Sequence, residues 1–113
     1  MSLILIVDDN PSILEYIAAV LEDTGYKLSL HSSARDALDM FYTGDFDLVI
    51  SDLIMPEMDG MHFISEIRRS NSDVPIIMIT GVGGVTEAVQ AMKSGATDFV
   101  VKPWQNEKLL ATL

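Results

Sequence analysis

The fold is decided by the stretch Leu3-Ile4-Leu5-Ile6-Val7-Asp8-Asp9, in which five consecutive apolar residues are followed by two acids. A continuous run of Ile, Leu and Val is typical of a strand covered on both faces, as in a parallel sheet with helices on either side. Comparable short runs recur along the chain. The predicted strands are residues 3–7, 26–30, 47–51, 75–79 and 97–101. The second alternates apolar and polar residues, which indicates an edge strand.

Helical segments separate these runs. The spacing of apolar residues predicts helices over residues 11–23, 33–43, 60–70, 85–94 and 104–113. Ser33 is the expected N-cap of the second helix. In the fourth helix the predicted apolar stripe is Val85, Ala88, Val89 and Met92. Five strand–helix units in succession predict a single α/β domain, (βα)5, with a parallel sheet. By analogy with doubly wound, flavodoxin-like folds, we expect a five-stranded sheet of order 2-1-3-4-5.

Composition restricts the possible functions. The chain has 113 residues, and its 17 acidic against 7 basic side chains give a net charge of −10. Such a charge repels phosphate backbones and anionic lipid, so we expect no direct nucleic-acid binding and no membrane contact. The absence of cysteine excludes disulfides and thiolate metal sites. No apolar run approaches the ~20 residues that span a bilayer, and no signal peptide is evident, so a cytoplasmic location is expected.

Four of the five predicted strands are followed by an aspartate, a threonine or a lysine. Asp8 and Asp9 follow the first, Asp52 the third, Thr80 the fourth and Lys102 the fifth. Parallel strands end at one edge of the sheet, and the expected order makes strands 1 and 3 neighbours there. The three carboxylates would repel one another unless some are protonated or a cation lies among them. Oxygen ligands without His or Cys suit Mg²⁺. Together with the hydroxyl and the ammonium, this set is suited to phosphorylation of an aspartate.

Five motifs in order then identify a resemblance. They are Val7-Asp8-Asp9-Asn10, Ser51-Asp52-Leu53-Ile54-Met55-Pro56-Glu57-Met58-Asp59-Gly60, Ile79-Thr80-Gly81, Gly95-Ala96-Thr97-Asp98-Phe99 and Val101-Lys102-Pro103. The chain resembles the receiver domains of two-component response regulators. The resemblance covers residues 1–113 as one receiver (phosphoacceptor) domain, whose final helix looks truncated at the end of the chain.

The resemblance implies a magnesium-dependent phosphoacceptor site. Asp52 would be the phosphoacceptor. Asp9 would ligate Mg²⁺ directly, Asp8 would assist, and the backbone carbonyl of Ile54 would complete the protein ligands together with Asp52. Apolar side chains at Ile54 and Val82, where the family's positions line the approach of water, imply slow loss of the phosphoryl group.

The resemblance also implies a switch. Thr80 would hydrogen-bond the phosphoryl group and move with it, Lys102 would pair with its oxygens, and Phe99 would be the aromatic residue coupled to Thr80. The surface of helix 4, strand 5 and helix 5 would then change. The implied partners are a sensor histidine kinase, an output domain or effector protein, transcription regulation being one such output, and a second copy of the chain through that surface.

An alternative interpretation is an aspartate-nucleophile phosphatase-type enzyme. That class needs a second acid two residues after the nucleophile at the end of strand 1. Asn10 stands in that position after Asp8. We therefore expect a phosphoacceptor module that assists its own phosphorylation and dephosphorylation, rather than an enzyme acting on a separate substrate.

Overall fold

The computed structural model describes residues 3–52, 58, 60–80 and 85–101. Within these ranges, five strands alternate with four α-helices. In chain order they are β1 (Leu3–Val7), α1 (Pro11–Leu21), β2 (Lys27–His31), α2 (Ala34–Thr43), β3 (Leu48–Asp52), α3 (Gly60–Ser70), β4 (Ile76–Thr80), α4 (Val85–Ser94) and β5 (Asp98–Val101). A 3₁₀ turn, Glu22–Thr24, follows α1. The predicted final helix, 104–113, lies outside the described residues.

The strands form one parallel sheet of order β2-β1-β3-β4-β5. This confirms the predicted α/β class and the 2-1-3-4-5 order. β2 lies at an edge of the sheet and has no fully buried residue, as its alternating sequence indicates. β1 lies between β2 and β3, and its residues from Ile4 to Val7 are at most 1% exposed. Burial on both faces is the physical reason for the continuous apolar run that opens the chain.

Alternate side chains of β1, β3, β4 and β5 enter two apolar clusters, one on each face of the sheet. Leu5 and Val7 belong to the cluster that contains the buried faces of α2 and α3. Ile4 and Ile6 belong to the cluster that contains the buried face of α1. A single strand therefore contributes to both sides of the core, and its carboxyl end is held rigidly between them.

Local sequence explains where the helices begin and where one turn ends. The Asn10 side chain accepts a hydrogen bond from the Ser12 N–H (2.9 Å), and Pro11 occupies the first helical position of α1. The Ser33 hydroxyl accepts from the Asp36 N–H (3.3 Å), which confirms the predicted N-cap of α2. Gly25, after the 3₁₀ turn, has φ = 83°, a conformation that glycine adopts at little cost.

The predicted apolar stripe of α4 is wrong in part. Val89 and Met92 are 46% and 38% exposed, whereas Ala91 is fully buried. α4 packs near the edge of the sheet against α3, β4 and β5, and Ala91 lies on its buried side. The side chains of Val85 and Ala88 lie outside what the structure describes. In α3 the fully buried side chains are Phe63, Ile64 and Ile67.

Candidate functional site

Asp8 is held by its neighbours on both sides. It follows Val7, which pairs with His31 of β2 and with Ser51 of β3. The Asp8 N–H donates to the carbonyl oxygen of His31 (3.1 Å), and its carboxylate accepts from the Asn10 N–H (2.9 Å). The residue is fully buried. Its carboxylate therefore has a fixed direction at the carboxyl edge of the sheet.

Asp52 lies at the same edge, one strand away. It is the last residue of β3, pairs with Ile79 of β4 and is 9% exposed. The preceding Ser51 is fully buried, and its hydroxyl donates to the carbonyl oxygen of Asp52 (2.9 Å). The sequence pattern alone assigned no role to Ser51. Its hydrogen bond could have been expected, because a lone hydroxyl in a buried apolar strand needs a hydrogen-bond partner.

The three acids form one cluster. A carboxylate oxygen from each of Asp8, Asp9 and Asp52 lies within 4.8 Å of the others. Asp8 and Asp52 are buried and Asp9 is exposed, so the cluster opens to solvent on the side of Asp9. The expected gathering of these acids is therefore found.

Charge and ligand chemistry together favour a cation in this cluster. Carboxylates at such distances repel one another when they are charged, and a cation among them would offset that repulsion. A set of hard oxygen donors with a solvent-open side fits Mg²⁺, which retains several of its waters. The residues present therefore fit the ion that the sequence implies.

The other predicted site residues are only partly described. Thr80 ends β4, the strand beside β3, and pairs with Val101 of β5, the residue before Lys102. The backbone thus brings Thr80 to the edge occupied by the acids. The Thr80 side chain, Ile54 and Lys102 lie outside what the structure describes, and their roles stay predictions.

Phe99 lies one strand beyond β4. It pairs with the fully buried Met78 and packs, partly buried, against the cluster that also contains Ala91 of α4. Its side chain is therefore on the face of the sheet that α4 covers. Its predicted coupling to Thr80 stays a prediction.

No helix in the described ranges is long and apolar enough to cross a membrane.

Comparisons with known proteins indicate one family. A sequence model of the response regulator receiver domain matches residues 4–113. The transcriptional regulatory protein ZraR of Escherichia coli K12 is 40% identical over 110 residues, which cover 97% of this chain and 25% of ZraR. The crystal structure of the NtrX receiver domain from Brucella abortus superposes with a TM-score of 0.92 at 32% identity, covering 96% of this chain and 92% of that one.

A second solved receiver domain gives the same result. The response regulator receiver domain protein from Clostridium thermocellum is 33% identical, has a TM-score of 0.90, and the alignment covers 96% of this chain and 88% of that one. The chain spans about a quarter of the length of ZraR. From its fold, its acid cluster and these matches, the chain belongs to the family of response regulator receiver domains.

Proposed function

We propose that this domain is a phosphorylation-dependent switch in which Asp52 accepts a phosphoryl group from the phosphohistidine of a sensor histidine kinase. The observation that carries the proposal is the cluster of Asp8, Asp9 and Asp52 at the carboxyl edge of a receiver-domain sheet. Asp52 is the member that ends β3, between the strand that carries Asp8 and the strand that carries Thr80.

Asp8, Asp9, Asp52 and the backbone carbonyl of Ile54 would hold Mg²⁺. When bound, the ion supplies positive charge that offsets the repulsion between the acids and an incoming anionic donor. Asp8 would act from its fixed, buried position. The exposed Asp9 leaves a side of the cluster open to water and donor.

The transfer itself is an in-line displacement. A carboxylate oxygen of Asp52 forms a bond to phosphorus while the phosphorus–nitrogen bond of the phosphohistidine breaks and the imidazole leaves with the electron pair. The Lys102 ammonium and the Thr80 hydroxyl bind the oxygens of the transferred group. The protein contributes mainly position and charge, as is usual for phosphoryl transfer.

The new charge on Asp52 then biases two packings of the domain. Thr80 moves toward the phosphoryl group, and Phe99 occupies the space that it leaves. The affected surface comprises α4, β5 and the final predicted helix. The exposed Val89 and Met92 of α4 support a partner contact here, because both present apolar side chains to solvent. An output domain, an effector or a second copy of this chain would bind this surface.

The wider setting follows from the relatives. ZraR is a transcriptional regulatory protein about four times as long as the matched segment, so control of transcription through a linked output domain is the proposed output. The protein would act in the cytoplasm. The phosphatase alternative gains no support from the site, because Asn10 caps α1 where that enzyme class needs a second acid.

Phosphoryl incorporation tests the proposal. The wild type, Asp52→Asn and Asp45→Asn are incubated with acetyl phosphate and Mg²⁺, and intact masses are recorded. Asp45 is an exposed control in the loop after α2. We expect one phosphoryl group on the wild type and on Asp45→Asn, and none on Asp52→Asn. Equal incorporation in Asp52→Asn would overturn the assignment.

A further inference from the structure

The carboxyl end of α4 is closed by backbone geometry. The Gly95 N–H donates to the carbonyl oxygen of Met92 (3.2 Å), and the Ala96 N–H donates to that of Ala91 (3.0 Å). Gly95 has φ = 122°. These two bonds and a glycine at the first position past the helix define a Schellman motif, and Ala91 and Ala96 are both buried beneath it.

The carbonyl of Gly95 points away from this motif to the side chain of Arg68 on α3. Arg68 Nε and Nη2 both donate to the Gly95 oxygen, at 3.0 and 2.8 Å. Arg68 Nη1 donates to the carbonyl oxygens of Val74 (2.7 Å) and Asn71 (3.3 Å). One guanidinium thus joins the end of α4 to the segment between α3 and β4.

The fit between Arg68 and Gly95 depends on the missing side chain of the glycine. A Cβ at position 95 would lie 3.0 Å from Arg68 Cγ and 3.2 Å from Arg68 Nε. Burial lowers the pKa of the Arg68 guanidinium, and the nearby Asp73 carboxylate raises it. The group stays charged at neutral pH, because an arginine loses its proton only in strong alkali.

The joined segments lead into the strands of the switch. Val74 precedes β4, which ends at Thr80, and Gly95 precedes β5, which contains Phe99. Thr97 strengthens the same connection, because its N–H donates to the Ile76 carbonyl (2.7 Å) and its hydroxyl accepts from the Ile76 N–H (3.0 Å). The fixed contacts lie at the amino ends of β4 and β5, opposite the acid cluster.

We propose that Arg68 is a positioning residue of the switch, which fixes the carboxyl end of α4 so that phosphorylation displaces the helix at its amino end. The proposal rests on the proposed function for its second half. The first half, that Arg68 anchors the end of α4, stands on the contacts alone. Charge-assisted hydrogen bonds are about twice as strong as neutral ones, and Arg68 makes them to three backbone carbonyls.

Hydrogen exchange of the full chain tests both halves. Backbone amides of residues 85–90 and 91–97 are followed in the wild type, Arg68→Lys and Arg68→Met, with Mg²⁺ alone and with Mg²⁺ plus beryllofluoride. Lysine keeps the charge but loses the planar fork, and methionine keeps the length without donors. The matched control is Arg69→Met, one residue further along α3, since Arg69 is 78% exposed and pairs only with Glu66 among the described residues.

Without beryllofluoride, we expect exchange in residues 91–97 to accelerate about tenfold in Arg68→Met, less in Arg68→Lys, and not in Arg69→Met. With beryllofluoride, the wild type should change in residues 85–90 and not in 91–97, whereas in Arg68→Met the change should extend through 97. If Arg68 only stabilised the fold, replacing it would raise the basal exchange without moving the boundary of the response.

Three results would overturn the proposal. Unchanged basal exchange in Arg68→Met removes the anchor. Arg68 has no role in the switch if beryllofluoride changes exchange in the wild type equally in residues 85–90 and 91–97. The same conclusion follows if the change in Arg68→Met stays confined to residues 85–90. If beryllofluoride alters neither segment in any variant, the proposed function fails and the switch role fails with it, while the basal comparison still decides whether Arg68 anchors α4.

Discussion

Asp8 and Asp52 stand one residue beyond a pair of neighbours in the sheet, Val7 of β1 and Ser51 of β3, and carboxylate oxygens of the two acids lie within 4.8 Å of each other. The parallel register of two strands therefore imposes the proximity of two buried acids. Because the strands are fixed from both faces of the sheet, the acids cannot separate without disrupting the core. A cation bound among the three acids would offset the repulsion between their carboxylates.

We predict that Asp8→Asn raises the free energy of unfolding relative to the wild type without Mg²⁺ and lowers it with Mg²⁺. Asparagine can still accept the Asn10 N–H, but one of three adjacent charges is removed. Without Mg²⁺ the free energy of unfolding should rise by roughly 1 kcal/mol, because like charges in the cluster are fewer. Excess Mg²⁺ should stabilise Asp8→Asn much less than it stabilises the wild type, because a ligand that binds less tightly stabilises less.

Urea unfolding with and without Mg²⁺ measures both effects, with Asp45→Asn as the control that removes an exposed acid elsewhere. Asp45→Asn should respond to Mg²⁺ as the wild type does. An Asp8→Asn variant that keeps the full magnesium response would show that the ion binds elsewhere.

Two glycines with positive φ predict different costs of an added methyl group. A Cβ on Gly25 would meet nothing within 4 Å, so Gly25→Ala should cost only its backbone strain, roughly 1 kcal/mol. Gly95→Ala should cost roughly 2–3 kcal/mol, because a φ of 122° is strained for alanine and the methyl group would meet Arg68. Urea unfolding compares them.

A double-mutant cycle separates the contact with Arg68 from the backbone strain in the cost of Gly95→Ala. Gly95→Ala should be less costly in an Arg68→Ala background than in the wild type, since the Cγ, Cδ and Nε atoms of Arg68 that the added methyl group would meet are then absent. Equal costs in the two backgrounds would mean that Arg68 does not restrict this position.

The contact between α2 and α3 predicts a spectroscopic pH dependence. The Tyr42 hydroxyl donates to Glu66 Oε2 (3.3 Å). Burial of the phenol raises the pKa of Tyr42, and the charge and hydrogen bond of Glu66 raise it further, while Arg69 lowers it. Glu66→Gln should therefore lower the pKa of Tyr42, as measured by the ultraviolet absorbance of phenolate.

The raised pKa of Tyr42 also determines how the stability of the fold changes with pH. Because the folded state holds the Tyr42 proton more tightly than the unfolded state, its contribution is complete below the ordinary tyrosine pKa of about 10 and is lost as the pH rises through the folded value. Tyr42→Phe should remove that loss. A phenolate titration that is identical in the wild type and in Glu66→Gln would contradict the contact.

The lifetime of the phosphorylated state can be predicted from sequence. The family resemblance puts Ile54 and Val82, which lie outside the described residues, along the approach of water to Asp52. The combined change Ile54→Asn and Val82→Glu should accelerate loss of the phosphoryl group by about tenfold or more, because polar groups can position the attacking water. Intact mass after removal of the donor follows the decay. An Ile54→Val control should decay like the wild type, and an unchanged rate in the doubly changed chain would refute the prediction.

The sheet could be predicted from sequence because buried parallel strands have few alternatives. The run from Leu3 to Val7 is too apolar for an exposed strand and too short for a helix, and the acids at strand ends mark one edge. Four of the five strands begin one residue later than predicted, since Tyr26, Asp47, Pro75 and Thr97 lie before the ladders. As a result Asp52 and Thr80 end their strands rather than follow them.

Tertiary contacts explain why the apolar pattern of the sequence did not predict the buried side of α4 or the role of Arg68. Val89 and Met92 repeat at helical spacing, but α4 buries the side that carries the small Ala91. Arg68 gives no sequence signal of its role, because its partners are backbone carbonyls from segments up to 27 residues away. Backbone acceptors are common to every residue type, so such a contact is visible only once the chain is folded.

A crystal structure of the chain grown with Mg²⁺ and beryllofluoride tests the central claim most directly. The account predicts beryllium bonded to a carboxylate oxygen of Asp52 and one magnesium ion among Asp8, Asp9 and Asp52. A beryllofluoride adduct on another residue, or a metal ion bound away from these three acids, would contradict it.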